Sequence, residues 1–203
     1  MLPSQIKEIV RRWRLRKIAR QVRQGIVPPG VSRETIFEAL KLTRPRNVFE
    51  AFGILSMKHY GANGELKTDM GVQSIKKITL AFVKFLADGF CSSTSAALLD
   101  DFVYHAAGAG SAAEASGDVA LGAETGVRVT GSQTHGASSN IFETVRTWVA
   151  SGIFTAIEHG IFNSLTNTAS QILLDRSLVS TPPTCATGDE IVFTYDLTLN
   201  TET

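Results

Sequence analysis

The sequence predicts a mainly β protein: a β-sandwich or jelly-roll body with an N-terminal helical basic arm and one additional helix. Three observations carry that expectation. The last third holds short runs, Ile141 to Val149, Phe154 to Phe162, Ile172 to Val179 and Glu190 to Leu199, separated by Gly, Ser, Asn and Pro. Short strands at that spacing with turn chemistry between them are the pattern of a sandwich or barrel. The opening residues instead repeat apolar side chains at helical spacing. Charge is also divided along the chain: residues 1–47 hold twelve cations against three acids, a net of +9, and residues 88–203 hold three cations against thirteen acids, a net of −10. Residues 1–48 are therefore read as a basic helical arm and 49–203 as the body, with a helix near 73–88.

Length and composition bound the possibilities. With 203 residues, 43% of them hydrophobic, the chain can bury one good core and still carry an appendage. The longest apolar stretch, Ile78 to Ala87, is interrupted by Lys84 and is far shorter than the roughly 20 residues that cross a bilayer. No membrane partner is expected. No apolar core of a secretory signal follows Met1, so the mature chain is expected to begin there and stay inside the producing cell. Cys91 and Cys185 stand in unrelated contexts and read as small buried hydrophobes, not as a disulfide or a zinc site.

In the leader, Ile6, Ile9, Val10, Trp13, Ile18 and Val22 place a helix over Ser4 to Gln24, with Ser4 as N-cap. It stops at Gly25, before the breaker Val27-Pro28-Pro29-Gly30. Ser32 caps a second helix, Arg33 to Leu42, and Pro45 marks its end. The leader shows little core of its own, and its cations lie almost all around the first helix. Arg11, Arg12, Trp13, Arg14, Arg16, Lys17, Arg20 and Arg23 are the candidate partner-binding residues, with Trp13 as anchor because interface hot spots favour Trp and Arg. The competing reading packs both helices on the body and leaves the charges merely solvated. A basic, sparsely apolar leader is also expected to order only on its partner.

Further along, Phe49 to Tyr60 has strand character, and Gly61-Ala62-Asn63-Gly64 turns it into a hairpin with Glu65 to Thr68. Val72, Ile75, Ile78, Thr79, Phe82, Val83 and Leu86 fit a helix, or a mixed strand and helix, stopping at Asp88-Gly89 and lying against or plugging one end of the sandwich. Phe102-Val103-Tyr104-His105 begins the β body proper, followed by an Ala/Gly/Ser-rich surface loop from Ala106 to Gly117. Gly108-Ala109-Gly110 follows a strand, yet no helix follows to face a phosphate, so it is not a nucleotide loop.

Catalytic chemistry finds little support. His59, His105, His135 and His159 have no ligand spacing, and His159 is expected at a strand end, bonded to backbone carbonyls. There is no nucleophile elbow. Asp100-Asp101 and Asp189-Glu190 are adjacent residues that point to opposite faces of a strand, and they read as strand-edge charges. Neither enzyme, metal nor cofactor is expected.

A set of segments in the body resembles a known family. These are Gly64-Glu65-Leu66-Lys67-Thr68-Asp69-Met70-Gly71, Phe102-Val103-Tyr104-His105, Gly117-Asp118-Val119-Ala120-Leu121, and Val129-Thr130-Gly131-Ser132-Gln133-Thr134. They continue with Gly136-Ala137-Ser138-Ser139-Asn140-Ile141-Phe142, Thr155-Ala156-Ile157-Glu158-His159-Gly160-Ile161-Phe162, Leu173-Leu174-Asp175-Arg176-Ser177, and Gly188-Asp189-Glu190-Ile191-Val192-Phe193-Thr194-Tyr195-Asp196-Leu197. In this order they resemble tailed-phage virion structural proteins over residues 57–199. The resemblance implies a β-sandwich repeated many times in a bacteriophage particle, as a capsid decoration or cement protein bound to the major capsid protein. It also implies localisation in the virion after assembly in the host cytoplasm, and it offers no catalytic residues. A neck, tail or head-fibre component is the first alternative, and a nucleic-acid-binding protein using the basic arm is the second, although an acidic body repels DNA. Self-association as a dimer or trimer would match capsid symmetry axes.

Overall fold

A computed structural model describes residues 3–42, 50–91, 99–136 and 140–200. The protein is mainly β, with 41% strand against 22% helix. Helix α1 spans Pro3–Arg23 and α2 spans Arg33–Leu42. Strands β1 (Glu50–Tyr60) and β2 (Leu66–Lys77) precede helix α3 (Leu80–Cys91). After a short 3-10 turn come β3 (Tyr104–Gly108), β4 (Glu124–Thr130), β5 (Thr134–His135), β6 (Ile141–Val149) and β7 (Phe154–Thr155). The chain continues through β8 (Glu158–Phe162), β9 (Leu173–Leu178), β10 (Thr184–Cys185) and β11 (Glu190–Asn200).

Two antiparallel sheets form a sandwich-like body, one ordered β2-β1-β11-β6-β5 and the other β4-β3-β8-β9, with a small β10-β7 ribbon at one end. The long β11 pairs with β1 from Glu50↔Asn200 to Tyr60↔Glu190 and with β6 on its other side, so it is the spine of the first sheet. Alternation sorts its side chains: Ile191, Phe193, Tyr195 and Leu197 face the inter-sheet core, and Asp196 faces outward. Gly53 on β1 lies beneath the Tyr195 ring, where any Cβ would come within 2.4 Å of its hydroxyl. Helix α3 closes one end of the sandwich through the ring cluster of Phe82, Phe85 and Phe102. The hydroxyl of Thr79 caps it by accepting the Phe82 N–H, and it donates to the Leu173 carbonyl.

Each sheet also carries a cover on its outer face. On the first, Leu15, Ile18, Ala19 and Val22 of α1 and Ile36, Ala39 and Leu40 of α2 form one cluster with Phe52, Ile54, Val72 and Ile75 of the sheet. On the second, Leu121 packs with Ala106, Phe162 and Leu173 beneath the irregular segment 109–123.

Several expectations need correction. The leader does not lack a core: its apolar stripe is shared with β1 and β2. Of the two readings of Val72 to Leu86, the mixed strand and helix is the one found: Val72 and Ile75 lie on β2, and α3 begins at Leu80 and runs through Asp88-Gly89 to Cys91 instead of spanning 73–88. β2 blurs the strand signal because it is buried without alternation from Val72 to Ile75, beside register shifts in its pairing with β1. Ser4 lies inside α1 rather than capping it. Ala106 to Gly108 belongs to β3 and is not surface loop. Phe154 to Phe162 divides into two strands. Arg44, Pro45, Arg46 and Phe49 lie outside the described residues, as does the side chain of Cys91.

Candidate partner-binding face

The geometry of α1 follows from its sequence. Leu15, Ile18, Ala19 and Val22 are spaced i, i+3, i+4 and i+7, which fixes one face against the sheet. The end of the helix is also fixed. Gly25 takes φ 72°, its N–H donates to the Val22 carbonyl, and the Ile26 N–H donates to the Gln21 carbonyl. That is a Schellman motif with glycine at the left-handed position. Arg20 and Arg23 in the last turn complement the helix dipole.

With the apolar stripe turned inward, Trp13 comes to the middle of the opposite face. It is 67% exposed, and Val10, one turn earlier, is 59% exposed. Arg16, Lys17 and Arg20 follow at i+3, i+4 and i+7 from Trp13, all exposed. No ion pair among the described residues engages them or Arg14. The other candidate residues are placed differently. Arg11 donates to Glu8 and to Glu38 of α2, and Arg12 donates to Glu8 at 2.9 Å. Arg11 thus joins the two leader helices, and both arginines are paired with acids on one flank. Arg23 is half-buried where α1 ends beside β2 and Arg176. Of the eight candidates, Trp13, Arg16, Lys17 and Arg20 thus form one continuous outward face, with Arg14 at its margin.

Four of the thirteen acids in residues 88–203 are buried and add no charge to the body's surface. The Glu158 carboxylate, with no exposure, accepts N–H bonds from Gly110, Gly122 and Ala123 at 2.7–3.0 Å and from Arg176 Nε at 2.8 Å. Burial works against its charge, yet the Ala123 and Gly122 N–H groups and Arg176 hold the carboxyl below its ordinary range. Arg176 also donates to Asp118 and to the Ala112 and Ala113 carbonyls. Asp189 accepts from Lys67 at 2.8 Å and from the Ala186 N–H, and it bonds His59 at 3.0 Å, so it is not a strand-edge charge. Asp175 is fully buried between the sheets beside Ser177, and burial raises it to about 7. Asp196 receives Arg33 from α2.

The histidines are also not where strand-end logic places them. His159 lies in mid-strand, fully buried against the Phe193 ring, and shares a 3.0 Å hydrogen bond with His105, which in turn bonds Thr144 at 2.9 Å. Burial pushes His105 down to about 3, with Arg146 adding to the effect, and drives His159 well below its ordinary range. Both rings are therefore neutral and closed to solvent. Among the described residues no group of three or more ligating side chains converges as a metal site. No helix among them is long and apolar enough to cross a membrane. Compared with known proteins, the chain matches no family model, no curated protein and no solved structure.

Proposed function

We propose that the chain is a structural protein of a phage particle, a capsid decoration or cement protein whose leader docks on an acidic surface of the major capsid protein. The observation that carries this reading is the outward face of α1, an exposed Trp13 bordered by Arg16, Lys17 and Arg20, which have no ion-pair partner among the described residues. An aromatic anchor with a charged rim has the composition of a protein interface core. The resemblance of the body to tailed-phage structural proteins supplies the setting, and a sandwich closed by two covers suits a rigid clamp. The same cations could neutralise phosphates. A lone tryptophan beside Val10, with Glu8 and Glu38 on the flank, fits a phosphate track less well than an apolar slot lined by carboxylates.

The test is copy number and position in purified particles, read against the major capsid protein. Hundreds of copies over the shell, with α1 facing capsid, support the proposal. About 5 to 12 copies in a ring would make it a neck or tail component. Absence from particles, with duplex DNA retained on the protein at physiological salt, would move the reading to nucleic-acid binding.

A further inference from the structure

Besides its apolar stripe, the leader is tied to the first sheet by the Arg33 side chain. Arg33, the first residue of α2, donates through Nη1 to Glu143 of β6 at 3.1 Å and to Asp196 of β11 at 3.0 Å. Asp196 and Glu143 are direct cross-strand partners in the β11–β6 register. Two carboxylates at such a position repel one another, and a single guanidinium nitrogen compensates only one of them. Their side chains are 0% and 17% exposed, and Asp196 Oδ1 is buried without a hydrogen-bond partner among the described residues.

We propose that Asp196, Glu143 and Arg33 form a proton-operated latch in which one proton held between the two carboxyls keeps α2, and with it the leader, seated on the sheet. With the proton present, Asp196 bonds Glu143, and Arg33 balances the one remaining negative charge. Without it, two charges share one nitrogen, and Asp196, fully buried, has no water to solvate its charge. Release of α2 relieves that by letting water reach Asp196. A cleft of about 430 Å³ lined by Ser32, Arg33, Lys58, Glu143 and Thr194 opens beside the latch and gives the proton a route to solvent.

The groups facing Asp196 are few. Arg33 approaches from α2, with Glu34 3.9 Å from that guanidinium, and Glu143 approaches from β6. On β1 its partner is Ile54, and the segment after β5 brings Gly136. On its own strand, Tyr195 points into the core. Burial raises Asp196 to about 7, Arg33 opposes that, and Glu143 adds to it. The sign follows from linkage: a carboxyl that holds its proton more tightly in the docked state favours docking fully at low pH and ceases to do so as pH rises through about 7.

The test is hydrogen exchange on the full chain, read as protection factors for α2 amides between about pH 4 and pH 8, a range that spans the ordinary and raised values of Asp196. Protection of α2 should fall with rising pH by at most about tenfold per unit, the limit for one proton, beyond any fall that β11 amides share through global unfolding. Asp196→Asn, which mimics the protonated acid, should leave α2 protected across the range. Glu143→Gln, which removes the repelling charge, should move the wild-type transition to lower pH. A pH-independent wild-type leader would overturn the latch, and so would an unaltered pH response in Asp196→Asn or an unmoved transition in Glu143→Gln.

Discussion

The two covers of the sandwich do the same job by different physics. Over the first sheet, α1 and α2 lay down a regular apolar stripe, and most of their charged residues remain outside, Arg33 and the half-buried Arg23 apart. Over the second, segment 109–123 has no repeating structure to satisfy its own backbone, so one buried carboxylate and one buried arginine serve as its partners. A helix internalises its hydrogen bonds and can be held by hydrophobic area alone; an irregular cover needs buried ionic groups. Charge therefore means opposite things in the two halves: surface available to a partner in the leader, internal framework in the body.

The comparison breaks most readily at Glu158. Glu158→Ala should cost about 3–5 kcal/mol, since it removes the buried partner of Arg176, leaves that charge to the half-buried Asp118 alone, and unpairs three N–H donors, and denaturant unfolding measures this directly. If the loss were under about 1 kcal/mol, the ion pair would not be what holds the second cover. Next in size, Leu40→Ala in the leader core should cost about 2–4 kcal/mol and expose α1 and α2 to proteolysis before the sheets. Loss of both covers together would show that they are not independent.

Asp175 sharpens the contrast through pH. Its carboxyl is raised to about 7 by burial, so the folded state binds a proton that the unfolded chain releases near its ordinary value of 3.8. Its contribution is complete below that value and is lost as pH rises through about 7, an effect on the order of a few kcal/mol. The melting temperature should accordingly fall across that window in the wild type and fall less in Asp175→Asn. Trp13→Ala should leave stability within about 0.5 kcal/mol while weakening attachment to capsid shells by about 2 kcal/mol, roughly thirtyfold, in a co-sedimentation assay. Undiminished binding would remove α1 from the docking face. The smallest expected effect is Glu8→Gln. The exposed pairs of Glu8 with Arg11 and Arg12 should leave the melting temperature unchanged within error.

How much of this was legible in the sequence follows the same division. Helix α2 and strand β6 have the predicted bounds, because Ser32 after Pro28-Pro29-Gly30 and the turn residues around Ile141 to Val149 are strong punctuation. The Ser32 hydroxyl accepts the Thr35 N–H as a cap should. The packing stripe of α1 was legible only in part: Ile18 and Val22 stand in the apolar face as expected, Leu15 and Ala19 complete its core spacing outside that expectation, and Val10 and Trp13, counted in that face, point to water. β2 was harder to read, since a strand covered on both faces and interrupted in register loses the alternation that identifies it. The hidden acids were illegible for a general reason. Nothing in the order of residues around Glu158 or Asp196 distinguishes a solvated carboxylate from one whose partners arrive from segments tens of residues away.

That α1 is already seated on the sheet bears on the kinetics of any encounter. A segment that folds as it binds gives up about 2–5 kcal/mol of its interaction energy to ordering. A partner meeting the Trp13 face meets a helix whose backbone is fixed in advance by Leu15, Ile18, Ala19 and Val22. Association should then be a rigid docking event, its rate set by electrostatic steering from Arg16, Lys17 and Arg20 and declining smoothly with salt, without a slow phase for coil-to-helix conversion.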